Sequence, residues 1–259
     1  MKNIGLIGTG VLSKAFVGGY LAHLTDDYNL VGVLGSSPKK SEDFADQYGI
    51  KGYESIEKLI EDDIDIVVEF AGVPAIATYA EKILKAGMDL IPVSTGAFAN
   101  EKLLNSCKEI LKGKNNKMYL PAGAIGGLDF MRALTLMGGL ELDFYTVKNP
   151  RSFNKQEIKE ITTIFEGTAR EAIAEFPKNT NVTVTAALAS VGIDHTKVKI
   201  ALDPEVSSNQ HTISLKTPSS EVTITTKSIP SPDNPASSTL AAWSVVGLLD
   251  NLRNDIRFF

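Results

Sequence analysis

Asn3-Ile4-Gly5-Leu6-Ile7-Gly8-Thr9-Gly10-Val11-Leu12-Ser13-Lys14-Ala15-Phe16 begins almost at the first residue, and its reading decides the fold. Ile4 to Ile7 is a short apolar run of the kind that a parallel sheet buries. Gly8-Thr9-Gly10 turns the chain, and Val11 to Ala22 reads as a helix. Strand, glycine turn and helix in direct succession predict a dinucleotide-binding unit. Gly8 permits the tight turn, and Gly10 lets a pyrophosphate approach the backbone at the positive end of the helix. Thr9, Val11 and Leu12 supply the remaining backbone of that phosphate cradle. Ser13 occupies the third place of G-x-G-x-x-G, where Gly or Ala is usual, so the fingerprint is incomplete. A glycine-rich turn that binds nothing is the competing reading.

The totals fit a soluble enzyme of one large or two modest domains: 259 residues, 43% hydrophobic and 22% charged. A net charge of −5 with no basic cluster argues against nucleic acid and anionic membrane surfaces as partners. No apolar window approaches a membrane span and no leader pattern precedes the first strand, so a cytoplasmic location is expected. The single cysteine excludes an intrachain disulfide. Cys107 shares a helical stripe with Leu103, Ile110 and Leu111, which predicts a buried, inert thiol. His23, His195 and His211 are scattered without ligand spacing, and no metal is expected.

Working outward from the opening, apolar runs at Leu30–Leu34, Ile64–Phe70, Asp89–Ser94 and Lys117–Leu120 read as further strands. Helices are predicted near 41–48, 55–61, 74–86 and 100–111, with Asn100 as a cap. Gly18-Gly19 within the first helix suggests close packing there. Strands alternating with helices predict an α/β, doubly wound parallel sheet of Rossmann type. Ligands then gather at the strand carboxyl ends, which places Ser36, Ser37, Ala71 and Gly72 beside the glycine turn. Beyond Gly126-Gly127 the pattern changes. A helix over 128–137 precedes an alternating strand over 140–148. Helical patterns occupy 155–165, 168–176 and 181–191, and strands occupy 197–202, 210–216 and 222–228. This predicts an α+β second domain with a largely antiparallel sheet. Asn234-Pro235 opens a last apolar helix, expected to return to the first domain. The predicted organisation is therefore a dinucleotide domain over 1–125, completed by 234–259, and a catalytic domain over 126–233.

Several stretches together resemble the L-aspartate dehydrogenase family: 87–97 (GMDLIPVSTGA), 123–129 (GAIGGLD), 165–172 (FEGTAREA), 176–182 (FPKNTNV), 209–213 (NQHTI) and the Asn234-Pro235 helix start. They occur in the family's order and cover nearly the whole chain. The resemblance implies NAD- or NADP-dependent oxidative deamination of L-aspartate, giving iminoaspartate and then oxaloacetate and ammonia. It places the catalytic histidine at His211 and cofactor contacts at Ala124 and Asn181. A homo-oligomer, a dimer, is expected, with the small-molecule substrate as the other partner.

Read from the residues alone, Asn209, His211, Ile213 and Leu215 share one face of a strand, and an inward histidine suits either a satisfied core position or acid–base work. Asn181 opens a helix and has an ordinary capping role as its alternative. Lys148, Ser237, Ser238 and Thr239 are candidates for the substrate carboxylates, with a solvated lysine and capping hydroxyls as the plainer alternative. The second strand ends in Leu34-Gly35-Ser36-Ser37-Pro38-Lys39-Lys40, without the carboxylate that selects the ribose 2′-hydroxyl of NAD. Hydroxyls followed by Lys39 and Lys40 tolerate or prefer a 2′-phosphate, with a solvated lysine pair opening a helix as the plainer alternative, so NADP is expected to serve at least as well as NAD. A dihydrodipicolinate-type or other amino-acid reductase, and a non-catalytic dinucleotide sensor, remain open alternatives at this point.

Overall fold

A computed structural model describes residues 1–177, 180–229 and 238–258. The chain divides into two compact units, Met1–Pro121 with Ala242–Phe258, and Ala122–Ala241.

The first unit is built on β1 (Lys2–Ile7), β2 (Tyr28–Leu34), β3 (Lys51–Tyr53), β4 (Ile66–Glu69) and β5 (Asp89–Pro92), all parallel, in the order β3-β2-β1-β4-β5. The reversal of strand order beside β1 puts the Gly8–Gly10 turn at the switch point, where open parallel sheets bind ligands. Between the strands run α1 (Val11–His23), α2 (Pro38–Tyr48), α3 (Ile56–Ile60), α4 (Val73–Lys85) and, after β5, α5 (Glu101–Leu111). Local chemistry sets several boundaries. Ser37 accepts from Lys40 N and Asn100 accepts from Lys102 N and Leu103 N, each capping the helix that follows, and Gly49 ends α2 in the left-handed region.

The last helix, α9 (Leu240–Arg253), joins this unit's core through Ala242, Val245, Val246 and Leu249. Gly19 makes that packing possible, because a Cβ there would lie 2.7 Å from Val246 Cγ2. The buried Tyr28 hydroxyl donates to the Leu249 carbonyl at 2.9 Å. Cys107 is buried on α5, and burial pushes its thiol up to about 11.

The second unit carries β6 (Glu141–Lys148), β7 (Thr162–Thr168), β8 (Thr196–Leu202), β9 (Asn209–Lys216) and β10 (Glu221–Ser228), ordered β10-β9-β6-β8-β7. Every pairing is antiparallel except β6 with β8. Its helices are α6 (Leu128–Met137), α7 (Ala169–Glu175) and α8 (Asn181–Ala189). Thr168 and Glu171 form a reciprocal capping box at the start of α7.

Two expectations need correction, and one strand was not foreseen. The stretch 155–165 is not helical: a turn leads into β7 at Thr162. Ile158, Ile161 and Phe165 mimic helical spacing, but Thr162-Thr163-Ile164 is β-branched and pairs with β8 across a bulge. The run 117–120 forms no full strand; it is held by an isolated bridge of Met118 to Leu90, with Tyr119 N donating to Leu90 O. Lys51–Tyr53, unassigned in the sequence reading, is the edge strand of the first sheet. No helix among the described residues is long and apolar enough to cross a membrane.

Candidate active site

In the first unit, the carboxyl ends of β1, β2 and β4 surround a cleft of about 870 Å³. Gly8, Thr9, Gly10, Ser36 and Ala71 line it. Gly8 has φ +111°, and a Cβ on it would sit 2.9 Å from the Phe70 carbonyl carbon, so only glycine lets the first turn pass under the β4–α4 turn. Gly10 has a different reason to be glycine: a Cβ there would meet no protein atom, so the room belongs to whatever enters the cleft. Gly10 is also the N-cap of α1, and no side chain caps that helix; Val11 and Leu12 open it. Gly72 starts α4 equally uncapped, with φ +108°. The uncapped N-terminus of α1, opening on the glycine turn beside the cleft, is the donor set that a pyrophosphate requires. These residues fit a dinucleotide.

Ser13 keeps the turn intact despite breaking the fingerprint. It is fully buried, and its Oγ donates to the Gly8 carbonyl at 2.8 Å. The hydroxyl satisfies a turn carbonyl that an alanine would leave unpaired.

The sequence reading missed Glu69, a fully buried carboxylate at the end of β4. Oε1 accepts from Ala71 N and Gly72 N, both at 2.6 Å, and from Ser94 Oγ at 2.8 Å, while Oε2 accepts from Ser94 N at 3.1 Å. Burial pushes the carboxyl above its ordinary range, and these four donors pull the other way. Glu69 thus ties the β4–α4 turn to the end of β5. The tract Ile66-Val67-Val68-Glu69 is the signal that was available, since an acid ending a buried strand needs partners.

At the adenosine end, Ser36 lines the cleft, whereas Ser37 is spent on capping α2. Lys39 turns to Asp43 at 3.1 Å in an exposed pair and does not line the cleft, but Lys40 and Lys14 do. One residue of helix rotation decides which lysine faces the cleft.

In the second unit, Gly123 has φ +66°, and a Cβ on it would lie 3.3 Å from Val182 Cγ1, which seats the turn carrying Ala124 beside the start of α8. Ala124 is buried. Asn181 is the first helical residue rather than the cap, because Thr180 takes the cap position.

One face of the second sheet ends in polar groups. Thr146 of β6 stands opposite His211 of β9, and Thr146 Oγ1 lies 3.1 Å from His211 Nδ1. Lys148 follows two residues on along β6 and therefore points to the same face, as does Asn209 on β9. Both His211 and Lys148 are only 4% exposed. Among the described residues the Lys148 ammonium has no carboxylate partner, and burial pulls it down to about 8. Burial, with the neighbouring Lys148 charge second, pushes His211 down to about 3. At pH 7 His211 is therefore neutral and offers a lone pair rather than a charge. Beside them on β10, Ser228 Oγ is buried and unpartnered among the described residues. A buried lysine beside a buried neutral imidazole on one face is the kind of perturbed pair that marks a functional site.

Of the candidates at the last helix, Ser238 accepts from Leu240 N at 3.1 Å and is a cap, and Thr239 follows it. Ser237 lies outside the described residues.

Comparison with known proteins agrees with both halves of this description. Residues 4–121 match the family model described as the NAD binding domain of homoserine dehydrogenase, and residues 129–252 match that of the aspartate dehydrogenase C-terminal domain. The L-aspartate dehydrogenase of Methanocaldococcus jannaschii is 32% identical over 99% of each chain, and that of Methanospirillum hungatei 36% over 97% of each. The crystal structure of aspartate dehydrogenase from Thermotoga maritima covers 100% of both chains with a TM-score of 0.79 at 27% identity. With a glycine-turn cleft in one unit, a buried lysine–histidine pair in the other and relatives matched end to end, the chain belongs to the L-aspartate dehydrogenase family.

Proposed function

We propose that this protein oxidises L-aspartate with NAD or NADP, releasing oxaloacetate and ammonia by way of iminoaspartate. The observation that carries this reading is the buried Lys148–His211 pair on the second sheet, in a chain aligned over its length with L-aspartate dehydrogenases. Gly8, Thr9 and Gly10, with the open N-terminus of α1, would hold the pyrophosphate of a bound dinucleotide. Ala124 would contribute backbone and Asn181 its side chain to a bound cofactor, whose nicotinamide would accept hydride from Cα.

The remaining chemistry belongs to the chain's own groups. An amino acid enters with a protonated amine, and Cα gives up hydride only when that nitrogen has a free lone pair. The site must therefore remove one proton first and add water afterwards. A neutral imidazole has one lone pair and one N–H, so His211 can hold and polarise the water that attacks the imine. Thr146 fixes the ring through Nδ1 and leaves Nε2 as the working nitrogen. Lys148, buried on the same face two residues beyond Thr146, is the second nitrogen base of the site.

His211→Ala tests the assignment directly. Loss of a positioned acid–base group lowers kcat by about 10²–10⁴-fold, with dinucleotide binding unchanged in a fluorescence titration. A kcat within about tenfold of wild type removes His211 from the chemistry.

A further inference from the structure

The reaction needs one proton acceptor for the substrate's ammonium, and the second sheet offers two nitrogen bases side by side. Their surroundings separate them. His211 is engaged at Nδ1 by Thr146, and on the same face a lysine side chain lies one strand away. The side chains facing the pair are Asn209 from β9, Thr226 and Ser228 from β10, and Ile200 and Leu202 from β8. No carboxylate stands among them, and burial is the cause that lowers Lys148. Burial and Lys148 itself are the causes that act on His211. Two adjacent buried bases with no carboxylate beside them among the described residues share at most one proton, and the amine is intrinsically the stronger of the two.

We propose that Lys148, not His211, is the catalytic base: its neutral amine takes the proton from the substrate's ammonium. The substrate nitrogen keeps the electron pair of the broken N–H bond, and that pair forms the C=N bond as hydride leaves Cα. Lys148 becomes an ammonium, and its proton passes to solvent before the next turnover. His211 stays neutral through this step and is free to direct water to the imine carbon. The inference rests on the aspartate-oxidising reading, and it assigns the two roles within that site.

Two readouts test it, one of them independent of turnover. The chain has three histidines, so their ring resonances can be followed individually in the free protein. In wild type the His211 ring keeps its neutral signature from pH 8 to 5. In Lys148→Met, His211 titrates at a higher pH than in wild type. An unchanged His211 titration overturns the coupling on which the proposal stands.

For turnover, Lys148→Ala lowers kcat by about 10²–10⁴-fold, and added primary amines restore part of it, more strongly as the amine becomes more basic. Lys148→Arg, which keeps charge and length, is not active. A raised KM for L-aspartate with kcat retained, no response to amines, or an active Lys148→Arg makes Lys148 a carboxylate anchor and overturns the proposal. If Lys148→Ala fails to fold, the wild-type profile decides: kcat/KM rises tenfold per pH unit to a plateau near pH 8 if Lys148 is the base, and a flat profile contradicts it. Failure of the underlying reading looks different, because wild type itself would then give no turnover with L-aspartate.

Discussion

Lys148 and His211 are each unfavourable to bury, and the fold keeps both at the polar end of one sheet face. Their ionisation has consequences for stability as well as chemistry. His211 is held at about 3 in the folded protein against an ordinary 6.5, so between those values the unfolded chain binds a proton that the folded one refuses. The stability present above the ordinary value is therefore lost as pH falls. Lys148 acts over another interval. With its value lowered to about 8 from 10.5, stability rises with pH between the two. Urea unfolding at pH 7 and pH 5 should show wild type losing about 2 kcal/mol more than His211→Gln over that step. Equal losses in the two proteins would mean that His211 is not buried neutral.

Turns and strand ends carry the next level of organisation. Glu69 gathers the backbone of Ala71, Gly72 and Ser94 on one carboxylate, so the cleft floor depends on a residue that need not touch a ligand. Glu69→Ala leaves those donors without an acceptor at about 1–3 kcal/mol each where they stay buried. The expected result is a clear fall in Tm together with weaker dinucleotide binding. Unchanged Tm and affinity would show that water replaces the carboxylate without cost. At the start of α2, Lys40 lines the cleft near Ser36, while Lys39 is committed to Asp43. Removing one charge-assisted phosphate contact is worth about 1.5 kcal/mol or more. Lys40→Ala should therefore raise KM for NADP by about tenfold with little change for NAD, and Lys39→Ala should change neither. A selective NADP defect in Lys39→Ala instead would reverse that assignment.

For the whole molecule, what the sequence disclosed tracks the range of the interactions involved. Gly8-Thr9-Gly10 and the alternating helices and strands announce the parallel sheet, because tight turns and buried strands are written in adjacent residues. The ordered motifs from Gly87 to His211 carried the family. Distant pairings were not legible in the same way. Nothing local says that β6 lies between β8 and β9, and that order alone puts Thr146 and Lys148 next to His211. The hydrogen bond from Ser13 to Gly8 turns an apparent defect in the fingerprint into a support for it. Ile158, Ile161 and Phe165 suggested a helix that β-branched residues and pairing with β8 override.

The central claim is the reaction itself, and steady-state formation of reduced cofactor from L-aspartate tests it most directly. Purified protein should reduce both NAD and NADP in the presence of L-aspartate, releasing ammonia in equal amount, with NADP serving at least as well as NAD. Oxidation of a different amino acid in preference to L-aspartate, or tight dinucleotide binding without turnover, would contradict the account.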